Sequence, residues 1–92
     1  MTYRVELRPA ARRYLARLPR NTQRLIIARL ETLADEPRPA WSKPLRQDLR
    51  GRLSFRVGDY RVVYRIEDDV LLVLVLGIGP RGRVYEDSGR QR

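Results

Sequence analysis

Residues 52–65 read Arg52-Leu53-Ser54-Phe55-Arg56-Val57-Gly58-Asp59-Tyr60-Arg61-Val62-Val63-Tyr64-Arg65. Apolar and polar residues alternate on both sides of Gly58-Asp59, a pair suited to a two-residue hairpin turn with glycine first. Counting outward from that turn fixes a register, because a slip of one residue would move every side chain to the other face. Val57 then faces Tyr60, Arg56 faces Arg61, Phe55 faces Val62, Ser54 faces Val63, Leu53 faces Tyr64 and Arg52 faces Arg65. Leu53, Phe55, Val57, Tyr60, Val62 and Tyr64 share the core face. Arg52, Arg56, Arg61 and Arg65 share the other face as two opposed pairs. Directly opposed like charges destabilise a sheet. A local rule broken in this way points to a functional site, and an anion lying over the face would relieve the repulsion. The plainer account is a solvated face, with long arginine stems spreading their heads into water and salt screening them.

The remaining elements follow outward from this hairpin. Thr2 to Leu7 alternates, with Tyr3, Val5 and Leu7 on one side, and reads as a short half-buried strand. Pro9 suits the first turn of a helix. Ala11, Tyr14, Leu15 and Leu18 fall at helical spacing, and Pro19 ends the segment. Asn21 or Thr22 is the expected cap of a second helix. Its stripe is Ile26, Ile27, Leu30, Leu33 and Ala34, and Pro37 stops it. Helices joined so tightly form a helical hairpin. Pro37 to Pro44 reads as a proline-rich loop carrying Trp41, after which Leu45 and Leu49 pack back onto the domain. Glu67-Asp68-Asp69 turns the chain after the second hairpin strand. Val70 to Ile78 is apolar on both faces and reads as a central covered strand, with Gly77, Gly79, Pro80 and Gly82 breaking the pattern. Arg83, Val84 and Tyr85 read as a short final strand. The order is β-α-α-β-β-β, an α+β domain with a helical hairpin packed on a mainly antiparallel twisted sheet. Residues 1–87 are expected to form a single domain and residues 88–92 a frayed C-terminal tail.

The composition narrows the chemistry. The chain has 92 residues, 42% of them hydrophobic, enough for one small core and against general disorder. It has no cysteine, which excludes disulfides, zinc ribbons and thiol chemistry. It has no histidine, which removes the usual acid–base residue near neutral pH and the commonest metal ligand. The net charge is +9, and Lys43 is the single lysine among 20 basic residues. Arginine offers a planar fork of donors matched to phosphate and carboxylate. A polyanionic partner is therefore expected: RNA, DNA or an acidic protein. Arginine-rich codon usage would be the alternative source of the excess. The longest aliphatic run, Val70 to Leu76, is too short to cross a bilayer, and Met1 to Leu7 lacks a signal core. A soluble cytoplasmic protein without membrane association is the expectation.

Several stretches together resemble the RelE/ParE toxin superfamily, the toxins of bacterial toxin–antitoxin pairs. They are Lys43-Pro44-Leu45-Arg46, Leu49-Arg50-Gly51, Phe55 to Tyr64, Gly79-Pro80-Arg81 and Val84-Tyr85, with Ala10-Ala11 and Leu18-Pro19 also fitting. The resemblance spans nearly the whole chain. It implies an endoribonuclease, an mRNA interferase that cleaves mRNA in the ribosomal A site without a metal or other cofactor and so inhibits translation. The RNA 2′-hydroxyl attacks the adjacent phosphate and displaces the 5′-oxygen. Such a reaction needs a base, an acid and cations for the phosphorane.

By the same resemblance, Arg61 holds the phosphate, Arg81 contributes charge stabilisation and acid catalysis, and Tyr85 takes part in base positioning or proton transfer. Lys43, Arg52, Arg56, Arg65 and Arg83 are the accompanying RNA-binding or phosphate-binding candidates. Ser54 falls where some members carry a catalytic lysine, and Pro80 where many have histidine or lysine; neither can take that part. An arginine is a poor base at neutral pH. The base candidates are then Tyr85, its pKa lowered by arginines, or Lys43 if desolvated. The resemblance also implies a cognate acidic antitoxin that folds onto the toxin in a heteromeric complex. Two other readings stand beside the ribonuclease: a ParE-like DNA gyrase inhibitor, and a non-catalytic module that binds antitoxin or RNA.

Overall fold

The computed structural model describes residues 2–45 and 51–80. The chain runs through strand β1 (Arg4–Leu7), helices α1 (Pro9–Arg17) and α2 (Arg20–Asp35), and strands β2 (Lys43–Pro44), β3 (Arg52–Val57) and β4 (Tyr60–Glu67). A single 3-10 turn (Asp68–Val70) leads into β5 (Leu72–Pro80). The five strands form one sheet in the order β1-β5-β4-β3-β2. Only β1 and β5, the first and last strands described, pair in parallel; the other three pairings are antiparallel. The helical hairpin covers one face. The α+β architecture expected from the sequence is the one observed.

Each helix begins at a proline-set junction. Pro9 occupies the first turn of α1, where its missing N–H costs nothing. The α2 cap is Pro19, not Asn21 or Thr22. Pro19 sits in extended backbone, and its carbonyl accepts the Gln23 N–H at 2.9 Å, so the helix starts before either polar residue can cap it. The Gln23 side chain reaches back instead: Nε2 donates to the Ala16 and Leu18 carbonyls at 3.1 and 2.8 Å. These carbonyls at the α1 C-terminus would otherwise lack partners. Ala11, Leu15, Leu18, Ile26, Leu30 and Leu33 are buried against the sheet, whereas Ile27 lies 40% exposed beside exposed Leu25. Ile27 follows Ile26 by one residue, which turns it about 100° away from the buried stripe.

The β3–β4 hairpin has the register that the turn predicts, from Val57 opposite Tyr60 to Arg52 opposite Arg65. Gly58 has φ +59° while Asp59 does not share the positive region, the pattern of a II′ turn. Phe55, Val57, Val62 and Tyr64 lie in the core, with Leu53 and Tyr60 packed against it. Tyr64 is fully buried, and its hydroxyl donates to the Pro37 carbonyl at 2.8 Å, tying the loop after α2 to the sheet.

Three boundaries differ from expectation. Lys43–Pro44 is a strand, not loop, pairing with Ser54 and Leu53. The last described strand begins at Leu72, because Val70 sits 59% exposed in the 3-10 turn. It then continues through Gly77 and Gly79 to Pro80, since β4 supplies ladder partners along that length. A bulge also interrupts β4–β5: Val63 faces Gly77, but Tyr64 faces Val75. Leu76 is the extra residue. It turns onto the arginine face with buried Val63, and Leu45 and Leu74 pack against the pair. Leu45 therefore packs on the sheet face opposite the helices. Leu49, Gly82, the expected final strand at Arg83 to Tyr85, and the tail at 88–92 lie outside the described residues.

Candidate nucleic-acid interface

The sheet face away from the helices is built in rows by strand pairing. Arg56 and Arg61 stand opposite one another, and Gly79 continues that row on β5. In the next row, Lys43, Ser54, Val63 and Gly77 run across β2, β3, β4 and β5. The glycines on β5 add no side chain of their own beside Arg61 or Val63, and Gly79 is itself buried. Arg52 faces Arg65 one row further on.

The first two rows enclose a cavity of about 170 Å³ lined by Trp41, Lys43, Ser54, Phe55, Arg56 and Arg61. Ser54 forms its floor: the residue is 1% exposed, and Arg61 Nη1 donates to its Oγ at 3.3 Å. That contact holds a half-buried guanidinium in place, while Lys43 and Arg56 are exposed at the rim. Among the described residues, no carboxylate lines the cavity. Three cations around one serine hydroxyl make a place for a single anion.

The structure divides the expected set of basic residues. Lys43, Arg56 and Arg61 are brought together. Arg65 is not part of this group, because its Nε lies 2.7 Å from Glu67 Oε2, two residues along the same strand. Arg52 lines a separate cavity of about 430 Å³ with Arg38, Pro39, Ser42, Pro44, Gly51 and Leu53. Lys43 is exposed at the cavity rim. Arg81, Arg83 and Tyr85 lie outside the described residues. Among the described residues no cluster of carboxylates could hold a metal ion. No helix there is long and apolar enough to cross a membrane.

A family model described as the ParE toxin of type II toxin–antitoxin systems, parDE, matches residues 5–85. The chain belongs to the RelE/ParE toxin superfamily. The RelG toxin of Mycobacterium tuberculosis is 38% identical in an alignment 89 residues long that covers 92% of this chain and 98% of RelG. The RelE toxin of the same organism is 39% identical in an alignment 87 residues long that covers 90% of this chain and 86% of that toxin. The crystal structure of the RelBE2 toxin–antitoxin complex from Mycobacterium tuberculosis aligns with a TM-score of 0.77 at 35% identity, covering 88% of this chain and 93% of that one.

Within this RelE-like fold, two features escape a reading of the sequence. One is the apolar cluster of Val63 and Leu76 beside the arginines, created by the bulge. An unbroken aliphatic run carries no periodicity that would reveal it. The other is Trp41, which closes one side of the anion cavity. Its sequence signal, a lone tryptophan between prolines, gave no partner.

Proposed function

We propose that this chain is the toxin of a type II toxin–antitoxin pair that cleaves mRNA on the ribosome and thereby stops translation. One observation carries the reading: Lys43, Arg56 and Arg61 line one small cavity of about 170 Å³ together with Ser54. The cavity holds about five or six water volumes.

A bound phosphodiester would accept from Arg61, whose guanidinium is already oriented by Ser54. As the 2′-oxygen forms its bond to phosphorus and the bond to the 5′-oxygen breaks, negative charge grows on the equatorial oxygens. Fixed cations stabilise that charge more than the ground state. Lys43 lies directly opposite Ser54, so this row carries a cation although position 54 does not. Arg52, Arg65 and Arg83 would contact the RNA backbone on either side. We assign Arg81 to charge stabilisation and acid catalysis, and Tyr85 to proton transfer at the 2′-hydroxyl. The ribosome would contribute orientation of the codon. An acidic antitoxin would cap the basic chain in a heteromeric complex in the cytoplasm, a reading supported by the RelBE2 neighbour.

A second reading, inhibition of DNA gyrase, is favoured by the match to the ParE model over residues 5–85. Induction of the chain alone in bacteria separates the two. Protein synthesis should stop first, with mRNA 5′-ends mapping inside codons, and Arg61→Ala should abolish both effects. Early loss of DNA synthesis with intact mRNA would establish the gyrase reading. No effect on either synthesis would leave a binding module.

A further inference from the structure

The anion cavity has an apolar wall that phosphate chemistry does not use. Trp41 supplies it, beside Lys43, Arg56 and Arg61. The indole is held rigidly. Its ring centroid lies 5.1 Å from that of buried Phe55, nearly perpendicular at 84°. The Arg29 guanidinium of α2 sits 4.7 Å over the ring. The loop beneath is fixed as well, because Tyr64 binds the Pro37 carbonyl and Ser42 donates from both N and Oγ to the Pro39 carbonyl. At about 170 Å³ the cavity takes a phosphate but not a nucleotide. A base attached to that phosphate must lie on the rim, and the rim on that side is a half-buried tryptophan.

We propose that Trp41 is a specificity-determining residue that contacts the nucleobase next to the phosphate held by Lys43, Arg56 and Arg61. The proposal rests on the reading of this cavity as an RNA phosphate site and adds the base to it. A preordered indole binds a base with little conformational cost, and an aromatic contact with a base changes affinity by about tenfold. An exposed arginine such as Arg29 can remain over the ring or yield to the incoming base, since its head is solvated in either place.

Trp41 is the single tryptophan, so its emission reports on this cavity alone. The full chain would be titrated with three probes: a 2′-O-methyl trinucleotide, the same backbone with an abasic central residue, and inorganic phosphate. Emission and the anisotropy of a labelled strand would be read in parallel. The expected result is saturable change of Trp41 emission by the base-bearing strand, which binds about tenfold more tightly than the abasic one. Trp41→Phe should keep most of that preference by anisotropy, and Trp41→Ala should lose it. Equal affinity for the two strands, or binding that leaves Trp41 emission unchanged, overturns the base contact while the phosphate site stands. Failure of all three probes to bind overturns the phosphate site and the base contact together. The comparison of strands is made on the unaltered chain, so it holds even if Trp41→Ala weakens the fold.

Discussion

Arg61 shows how one side chain can be both strained by its neighbours and fixed by them. Arg56 stands directly across the ladder, and Lys43 lines the same small cavity. The hydroxyl of Ser54 orients the guanidinium but does not neutralise it. Arg61→Ala should remove toxicity while the chain still folds and unfolds cooperatively; loss of the folded state would assign Arg61 to the fold instead. Phe55 is the opposite case. It is 2% exposed and packs between Trp41 and Tyr64. Phe55→Ala should cost about 3–5 kcal/mol in a urea titration, through lost transfer energy and the cavity left behind. Both residues were assigned to their faces by alternation alone, because alternation is a property of the strand itself. The contact of Phe55 with Trp41 was not legible, since the two residues are joined only by packing.

At the scale of elements, the Gly58-Asp59 turn sets the register of the arginine rows. A Cβ at Gly58 would meet nothing within 4 Å, so the cost of a side chain there comes from φ +59° and not from a clash. Gly58→Ala should destabilise by about 1–2 kcal/mol. Gly58→Asn should lose less than Gly58→Ala, because asparagine is among the residues that occupy the positive-φ position of such turns. A denaturant series on the two variants checks the order. A second junction joins three elements: Asp68, at the start of the 3-10 turn, accepts from Tyr3 Oη at 2.6 Å and from Arg38 Nη2 at 2.9 Å. Arg38 first, and then Tyr3, holds the Asp68 carboxyl below its usual range. Stability from this junction is present above the ordinary carboxylate pKa of about 4 and is lost as pH falls through the lower folded value. Asp68→Asn should therefore be less stable than the parent at pH 7, and the two should converge in strong acid. An unchanged difference at low pH would show that the charge is not what the junction uses. The turn residues were visible in the sequence. Their partners were not, because Tyr3 and Asp68 are separated by most of the chain.

For the whole molecule, charge decides the kind of partner and packing decides where it binds. With a net charge of +9, general attraction to nucleic acid is expected over much of the surface. The cavity adds a local contribution from Lys43, Arg56 and Arg61. If those three cations together hold one phosphate of a single strand, that phosphate contributes about −0.7 to the slope of log affinity against log salt. Lys43→Gln should weaken binding and flatten that dependence, measured by anisotropy across a salt series. No change in slope would remove Lys43 from the interface.

The amino-acid sequence by itself determined the two helices, the hairpin register, the face on which the arginines gather and the resemblance to RelE/ParE toxins. These rest on turn chemistry and on periods of two and 3.6 residues, which act over a few neighbouring positions. Tertiary structure decided the rest. It paired Lys43 with Ser54 in a strand of two residues, too short to show any period. It placed β1 parallel to β5, inserted Leu76 as a bulge, and stood Trp41 against Phe55 at the edge of the cavity. Each of these depends on a partner distant in the chain, whose position exists only once the core has closed.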